Sequence, residues 1–258
     1  MALIIGGHPR SGTTLLARLC MCHPQIGFTN ELQNFSAINT SYWEHLRKFR
    51  KNWLVRGVLR RSSKHSPWSS RLRSAVFLAR YTINLLPYAG RPVGVTQIEV
   101  VLRRIFPRAM LVGDKYPRYV FMLDQLAAEH GLKRVIVYRD GRDVVSSMLA
   151  KIRGDWRRLP IPRELNLAEK IARSWVLASE AMEQHRSQRY CLRYEDLVNQ
   201  PAEQLSSLAS WLGVRPDGFR LRMVRSSSAG KSQTGLNAEE LGQVTLIAGP
   251  ALARLNYH

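Results

Sequence analysis

Three short stretches of the chain carry residue types that grip phosphate. The first is Gly7-His8-Pro9-Arg10-Ser11-Gly12-Thr13-Thr14, a glycine-bounded turn between an apolar run and an apolar helix start. In such a turn the backbone N–H groups and the positive end of the helix dipole point at one anion. The Gly7-x-x-x-x-Gly12 spacing fits a nucleotide-binding loop, but Thr13 stands where a nucleoside triphosphatase carries Lys. Arg10 is the substitute charge, which points away from ATP and toward another phosphorylated nucleotide. The second stretch is Arg139-Asp140-Gly141-Arg142-Asp143, with Ser147 eight residues after Arg139. A loop Arg and a Ser about two helical turns later can both reach one further phosphate. The third is Gly113-Asp114-Lys115. Two separated phosphate sites suit a nucleotide bisphosphate rather than a triphosphate chain.

These stretches need elements to hold them, and the hydrophobic pattern supplies strands ahead of each. Ala2–Gly6, Ala109–Gly113 and Arg134–Tyr138 are apolar runs, and the last is apolar on both faces, as in a parallel sheet. Gln25–Thr29 and Tyr190–Arg193 are shorter candidates. Helices are expected from about Gly12 to Cys22, over Ser41–Arg61, Trp68–Leu86, Tyr119–His130, Val144–Ile152, Leu167–His185 and Pro201–Leu212. Asn30 is expected to cap a short helix from Glu31, and the tail helix Leu241–Leu255 to break at Gly249-Pro250. Trp43, Leu46, Phe49 and Trp53 mark one apolar helix face; Leu72, Val76, Ala79 and Ile83 mark another. Strands alternating with helices predict an α/β fold, a parallel central sheet flanked by helices, with all three motifs at strand ends over one crevice.

The 258 residues suit a single domain. The formal charge is +20, and residues 45–98 hold twelve Lys or Arg with no Asp or Glu. Residues 41–91 therefore read as a basic helical insertion, forming one side of the cleft or a lid. Such a block suits an anionic partner: a nucleotide, an acidic glycan or peptide, or an anionic membrane in peripheral contact, with no specific nucleic acid expected. Cys20, Cys22 and Cys191 make neither a disulfide framework nor a zinc pattern, and no metal is expected. With no basic segment ahead of a long apolar core, and no apolar run long enough to span a bilayer, the chain reads as cytoplasmic.

Four motifs in order resemble the sulfotransferases that use 3′-phosphoadenosine-5′-phosphosulfate (PAPS), across nearly the whole chain. Pro9-Arg10-Ser11-Gly12-Thr13-Thr14 is similar to that family's 5′-phosphosulfate loop. Val135 to Ser147 is similar to its 3′-phosphate motif, with Arg139 and Ser147 as the matching pair. Gly113-Asp114-Lys115-Tyr116-Pro117 and Leu192-Arg193-Tyr194-Glu195-Asp196-Leu197-Val198 recur in bacterial members. The resemblance implies a nucleotide-binding loop fold and transfer of a sulfuryl group to an acceptor hydroxyl on a glycan, tyrosine peptide or lipid. It implies PAPS as donor and adenosine 3′,5′-bisphosphate as product, bound by Arg10, Ser11, Gly12, Thr13, Thr14, Arg139 and Ser147. Glu31 follows His23-Pro24 at the spacing of the carboxylate base in the tyrosylprotein branch, and Lys115 matches the cation at the bridging oxygen. Ser226 and Lys231, in Arg225-Ser226-Ser227-Ser228-Ala229-Gly230-Lys231, are similar to the family's final cofactor loop.

Each assignment has a plainer rival. Glu31 also suits the first turn of a helix, and Lys115 a surface pairing with Asp114 or Asp143. Trp175 reads as core, and His8 as a loop side chain rather than a catalytic group. The basic helices also suit a solvated face. A P-loop kinase of a small molecule and a non-catalytic polyanion-binding protein are the rival functions. The missing Lys and the second phosphate motif count against the kinase.

Overall fold

The computed structural model describes residues 1–61, 68–154, 167–224 and 235–257. Strands β1 (Ala2–Gly6), β2 (Ile26–Asn30), β3 (Leu111–Lys115), β4 (Leu132–Tyr138) and β5 (Tyr190–Arg193) form one sheet in the order β2-β3-β1-β4-β5. Every pairing is parallel. All strand ends therefore lie along one edge, and the loop after β1 sits between the ends of β3 and β4. That is where an open α/β sheet opens its crevice.

β1, the central strand, is apolar throughout because both of its faces are covered. Leu3 and Ile5 pack with α1 (Thr13–Cys22), α8 (Tyr194–Asn199) and α9 (Pro201–Leu212). Ala2 and Ile4 point the other way, onto α2 (Tyr42–Arg61), α3 (Trp68–Leu85) and α4 (Val95–Ile105). Alternation along the strand thus assigns the two layers. Between β3 and β4 lie a 3₁₀ segment, Pro117–Met122, and the short α5 (Leu123–Ala127) in place of the single helix expected over Tyr119–His130. The β4 end carries α6 (Gly141–Arg153), which packs on α7 (Ala168–Gln184) and α10 (Ala238–Arg254).

Other expectations are corrected. α10 runs unbroken through Pro250. One lost backbone bond is outweighed where Val244, Ala248, Ala251 and Leu252 bury one side of the helix against its neighbours. No helix starts at Glu31; a bend there leads into turns over residues 34–39. α2 and α3 exist, but Trp43, Val76, Ala79 and Ile83 face solvent while Tyr42, Leu46, Phe49, Tyr81 and Leu85 take the core. The side chains of Trp53 and Leu72 lie outside the described residues. The loop expected at Ser62–Ser70 does so in part, and Trp68–Ser70 belong to α3. Among the described residues, no helix is long and apolar enough to cross a membrane.

Candidate functional site

The loop after β1 is wound tightly against its neighbours. Gly7 has φ 144°, and a Cβ there would lie 2.2 Å from the Val137 carbonyl oxygen. Gly12 has φ 93°, with the Tyr194 ring 2.3 Å from where its Cβ would be. Arg10 has φ 76° without being glycine, so the loop stores strain at this position. Gly12 caps α1 without a side-chain bond, which leaves the first amides of the helix for an anion. The Ser11 hydroxyl is buried and has no hydrogen-bond partner among the described residues. Amides, a buried unpaired hydroxyl and nearby guanidinium groups are a donor set for phosphate or sulfate oxygens.

His8 ties this loop to α7. Its Nδ1–H donates to the Pro9 carbonyl at 2.9 Å, and Nε2 accepts from the Ser174 hydroxyl at 3.2 Å. Burial pushes the imidazole down to about 4, so it is neutral at pH 7. It acts as a tether, in keeping with the loop role read from the sequence.

On the β4 side, Arg139 is buried at the strand end. Its Nη2 donates to Asp143 Oδ2 at 2.8 Å, its Nη1 to the Arg10 carbonyl at 3.3 Å, and its guanidinium lies 4.8 Å from the Tyr194 ring centre. Trp175 Nε1 donates to the Arg139 carbonyl at 3.1 Å, so this core Trp also braces the turn. Arg10 Nε donates to the Ser147 hydroxyl at 3.0 Å. The Arg10 side chain therefore lies with Ser147 and Arg139, not with Lys115. Burial and the adjacent Arg139 charge push the Arg10 pKa down. An anion placed there would relieve that repulsion. Glu195 supports the turn from below: its Oε1 accepts from Asp140 N at 3.1 Å, and its Oε2 from the Tyr257 hydroxyl at 2.8 Å.

On the β3 side, Lys115 is fully buried. Its Nζ donates to Thr14 Oγ1 at 3.2 Å and to the Glu31 carboxylate. The expected surface pairings of Lys115 are corrected. Asp114 points to the opposite face of the strand, and Asp143 is engaged by Arg139. A buried ammonium needs a hydrogen-bonded counter-charge, and Glu31 supplies it. Glu31 is no first-turn helix residue, because Asp114 holds its segment in another shape. The buried Asp114 carboxylate accepts from Thr29 Oγ1 at 2.7 Å, Gln33 N at 2.8 Å, Tyr119 Oη at 2.9 Å and Leu32 N at 3.2 Å. Glu31 and Gln33 adopt φ 60° and 61° in that grip. Burial raises the Asp114 pKa, and the four bonds oppose the shift.

Arg10, Ser11, Gly12, Thr13, Thr14, Lys115, Glu31, Arg139 and Ser147 thus gather along one edge of the sheet. Ser226 and Lys231 lie outside the described residues. Gly235, where description resumes, sits against Ser146, whose Oγ would be 2.1 Å from a Cβ at that position. Among the described residues, no three His, Cys, Asp or Glu are grouped to hold a metal ion. Sequence reasoning missed the parts played by Asp114, Asp143 and Tyr194. The Arg139–Asp143 pair had a signal, opposite charges four apart on a helix start; the other two had little, because most of their partners are distant in sequence.

The chain matches the Sulfotransferase family over residues 2–217. No curated protein matches it. Among solved structures it is similar to the sulfotransferase domain from the curacin biosynthetic pathway (17% identity, TM-score 0.61), covering 100% of this chain and 98% of that one. The sulfotransferase domain of the Synechococcus PCC 7002 olefin synthase is 18% identical with a TM-score of 0.60, covering 100% and 94%. Mouse sulfotransferase SULT7A1, solved with PAP, is 12% identical with a TM-score of 0.50, covering 100% and 89%. At these identities the structures speak for the fold.

Proposed function

The chain belongs to the sulfotransferase family, and from that premise we propose that it moves a sulfuryl group from PAPS to an acceptor hydroxyl, with Glu31 as general base. The observation that carries this reading is the Lys115 ammonium between the Thr14 hydroxyl and the Glu31 carboxylate. It joins a cation, the phosphate loop and a candidate base at one point.

When bound, PAPS supplies an activated sulfur whose bond to the 5′-phosphate oxygen breaks as the acceptor oxygen bonds to it. The amides of Gly12, Thr13 and Thr14 at the helix start and the Ser11 hydroxyl hold the phosphosulfate end. Arg139 and Ser147 hold the 3′-phosphate. Arg10 contributes its backbone to the first group and its charge to the second. Glu31 takes the proton of the acceptor hydroxyl. Lys115 neutralises the charge that appears on the departing phosphate oxygen, so no metal is needed for that step. Its shift from Glu31 toward that oxygen would free the carboxylate to act as base. Ser226 and Lys231 complete the nucleotide side, and the chain is one sulfotransferase domain with residues 41–91 as its acceptor side.

A carboxylate base would group the enzyme with the tyrosylprotein branch of the family. The charge of residues 41–91 favours acceptors that are anionic or displayed near anions: glycan, tyrosine peptide or lipid. A screen of these acceptors with radiolabelled PAPS tests the reaction, and calorimetry tests the donor. Adenosine 3′,5′-bisphosphate is expected to bind without Mg²⁺. Tight binding of ATP with Mg²⁺ and none of the bisphosphate would overturn the reading.

A further inference from the structure

Val76, Ala79 and Ile83 are spaced as a core-facing helix stripe, yet α3 turns them to solvent. The rotation of α3 is fixed from its other side. Tyr81 stacks on Phe49 of α2 with ring centres 4.0 Å apart, and its hydroxyl meets the buried His45 at 3.0 Å. Leu85 is fully buried beside them. Turning the outer stripe inward would break this packing, so its exposure is a property of the packed helix.

The exposed apolar residues follow one side of α3 into the turn after it. Val76 is 48% exposed, Ile83 67%, and Leu86, in the 3₁₀ turn that follows, 59%. Ala75 and Ala79 are exposed between them. At about 100° per residue, positions 75, 76, 79 and 83 fall within an arc of roughly 100°. On α2, Trp43 is 71% exposed, and Arg47, Arg50 and Lys51 are exposed after it. Arg80 lies along the α3 stripe, and Arg91 is exposed a few residues beyond Leu86. The surrounding chain, residues 45–98, has twelve cations and no carboxylate.

An apolar helix stripe beside a predominantly positive helix, on which Glu44 is paired with Lys48, has a specific chemical complement. Apolar side chains enter the boundary between headgroups and acyl chains, cations meet lipid phosphates, and Trp prefers that depth. A second copy of the chain fits less well, because it would bring two cationic surfaces together. We propose that α2 and α3 form a docking surface for an anionic phospholipid membrane, with Val76, Ala79, Ile83 and Leu86 entering the interface and Arg47, Arg50, Lys51 and Arg80 on the phosphates. This inference does not depend on the base or donor assignments. It gives residues 41–91 a role in bringing the enzyme to a lipid surface.

The test is co-sedimentation of the full chain with vesicles of pure phosphatidylcholine, and with vesicles containing about 30 mol% phosphatidylglycerol. The wild type is compared with Val76→Asp/Ile83→Asp and with Arg47→Glu/Arg50→Glu. All four side chains are exposed, so thermal melting and binding of adenosine 3′,5′-bisphosphate are expected to match the wild type. The wild type is expected to bind only the anionic vesicles, more weakly as salt rises, and each double variant to lose at least about tenfold in affinity. Three results would overturn the proposal: no binding to anionic vesicles, binding that survives Val76→Asp/Ile83→Asp, or equal binding to both vesicle types. A wild-type dimer in solution that Val76→Asp/Ile83→Asp converts to monomer would overturn it too, by giving the stripe to a second copy.

Discussion

Arg10 reaches out of its own loop and donates to Ser147 on α6, at 3.0 Å, so the two phosphate motifs are joined before any nucleotide arrives. The bond fixes the width of the crevice between the ends of β1 and β4. It also means that the two residues should not act independently on the nucleotide. Arg10→Ala and Ser147→Ala are each expected to weaken adenosine 3′,5′-bisphosphate binding by about tenfold, the cost of a charge-assisted bond. The double variant should lose less than the sum, with a coupling of about 0.5–1.5 kcal/mol by calorimetry. Strict additivity would separate the two roles.

Glu31 and Lys115 share one ion pair, and both are expected to act on turnover more than on donor binding. Glu31→Gln removes the base and keeps the shape; turnover should fall about 100-fold or more. Donor affinity should stay within about threefold, since a base touches the acceptor rather than the donor. Lys115→Ala should also lower turnover more than donor affinity. Single-turnover rates and calorimetry on the same preparations check both. Full sulfuryl transfer by Glu31→Gln would remove Glu31 from the mechanism.

Asp114 gathers four donors onto one buried carboxylate and through them shapes the turn that carries Glu31. Asp114→Asn keeps the volume but turns an amide toward groups that are themselves donors. A loss of about 2–3 kcal/mol is expected in urea unfolding, from donors left without acceptors. Residual enzyme should show reduced turnover at unchanged donor affinity. A variant that unfolds at the wild-type midpoint would show that the turn holds itself.

The buried His8 makes stability depend on acidity. Its folded value is about 4 against 6.5 when unfolded. Between these values the unfolded chain binds more protons, so stability from this group is intact above pH 6.5 and drains as pH falls toward 4. The slope is at most about 1.4 kcal/mol per pH unit. His45 is shifted the same way and Asp114 the opposite way, both by burial. Because those groups are common to both proteins, the difference between wild type and His8→Gln isolates His8. The wild-type curve from denaturant melts should be the steeper in this window; parallel curves would exclude His8 as the cause.

Much of the molecule was legible in its sequence because local signals and tertiary demand agreed. β1 and the Val135–Val137 part of β4 are apolar on both faces because both are covered, and the glycines at 7 and 12 mark the loop they make possible. Arg139 at the end of such a strand could only sit at the crevice. The segment after Asn30 was misread, because the capping signal of Asn30 is local while Asp114, 84 positions later, decides the shape. The direction of the Arg10 side chain depends on Ser147, equally far from local reasoning. On α3 the periodicity itself was sound. What the pattern could not say was which side of the helix meets the protein, and Tyr81 settles that by stacking on Phe49.

Asp114 and Lys115 are adjacent, yet they serve opposite layers of the sheet. Asp114 bonds Tyr119, whose hydroxyl also accepts from Phe35 N in the layer that includes α2 and α3; Lys115 bonds Thr14 on α1. The nucleotide grip and the layer that includes the basic helices thus meet at one dipeptide. A change of side chain within residues 41–91 would reach the turn of Glu31 through Asp114 before it reached the groups that hold the nucleotide.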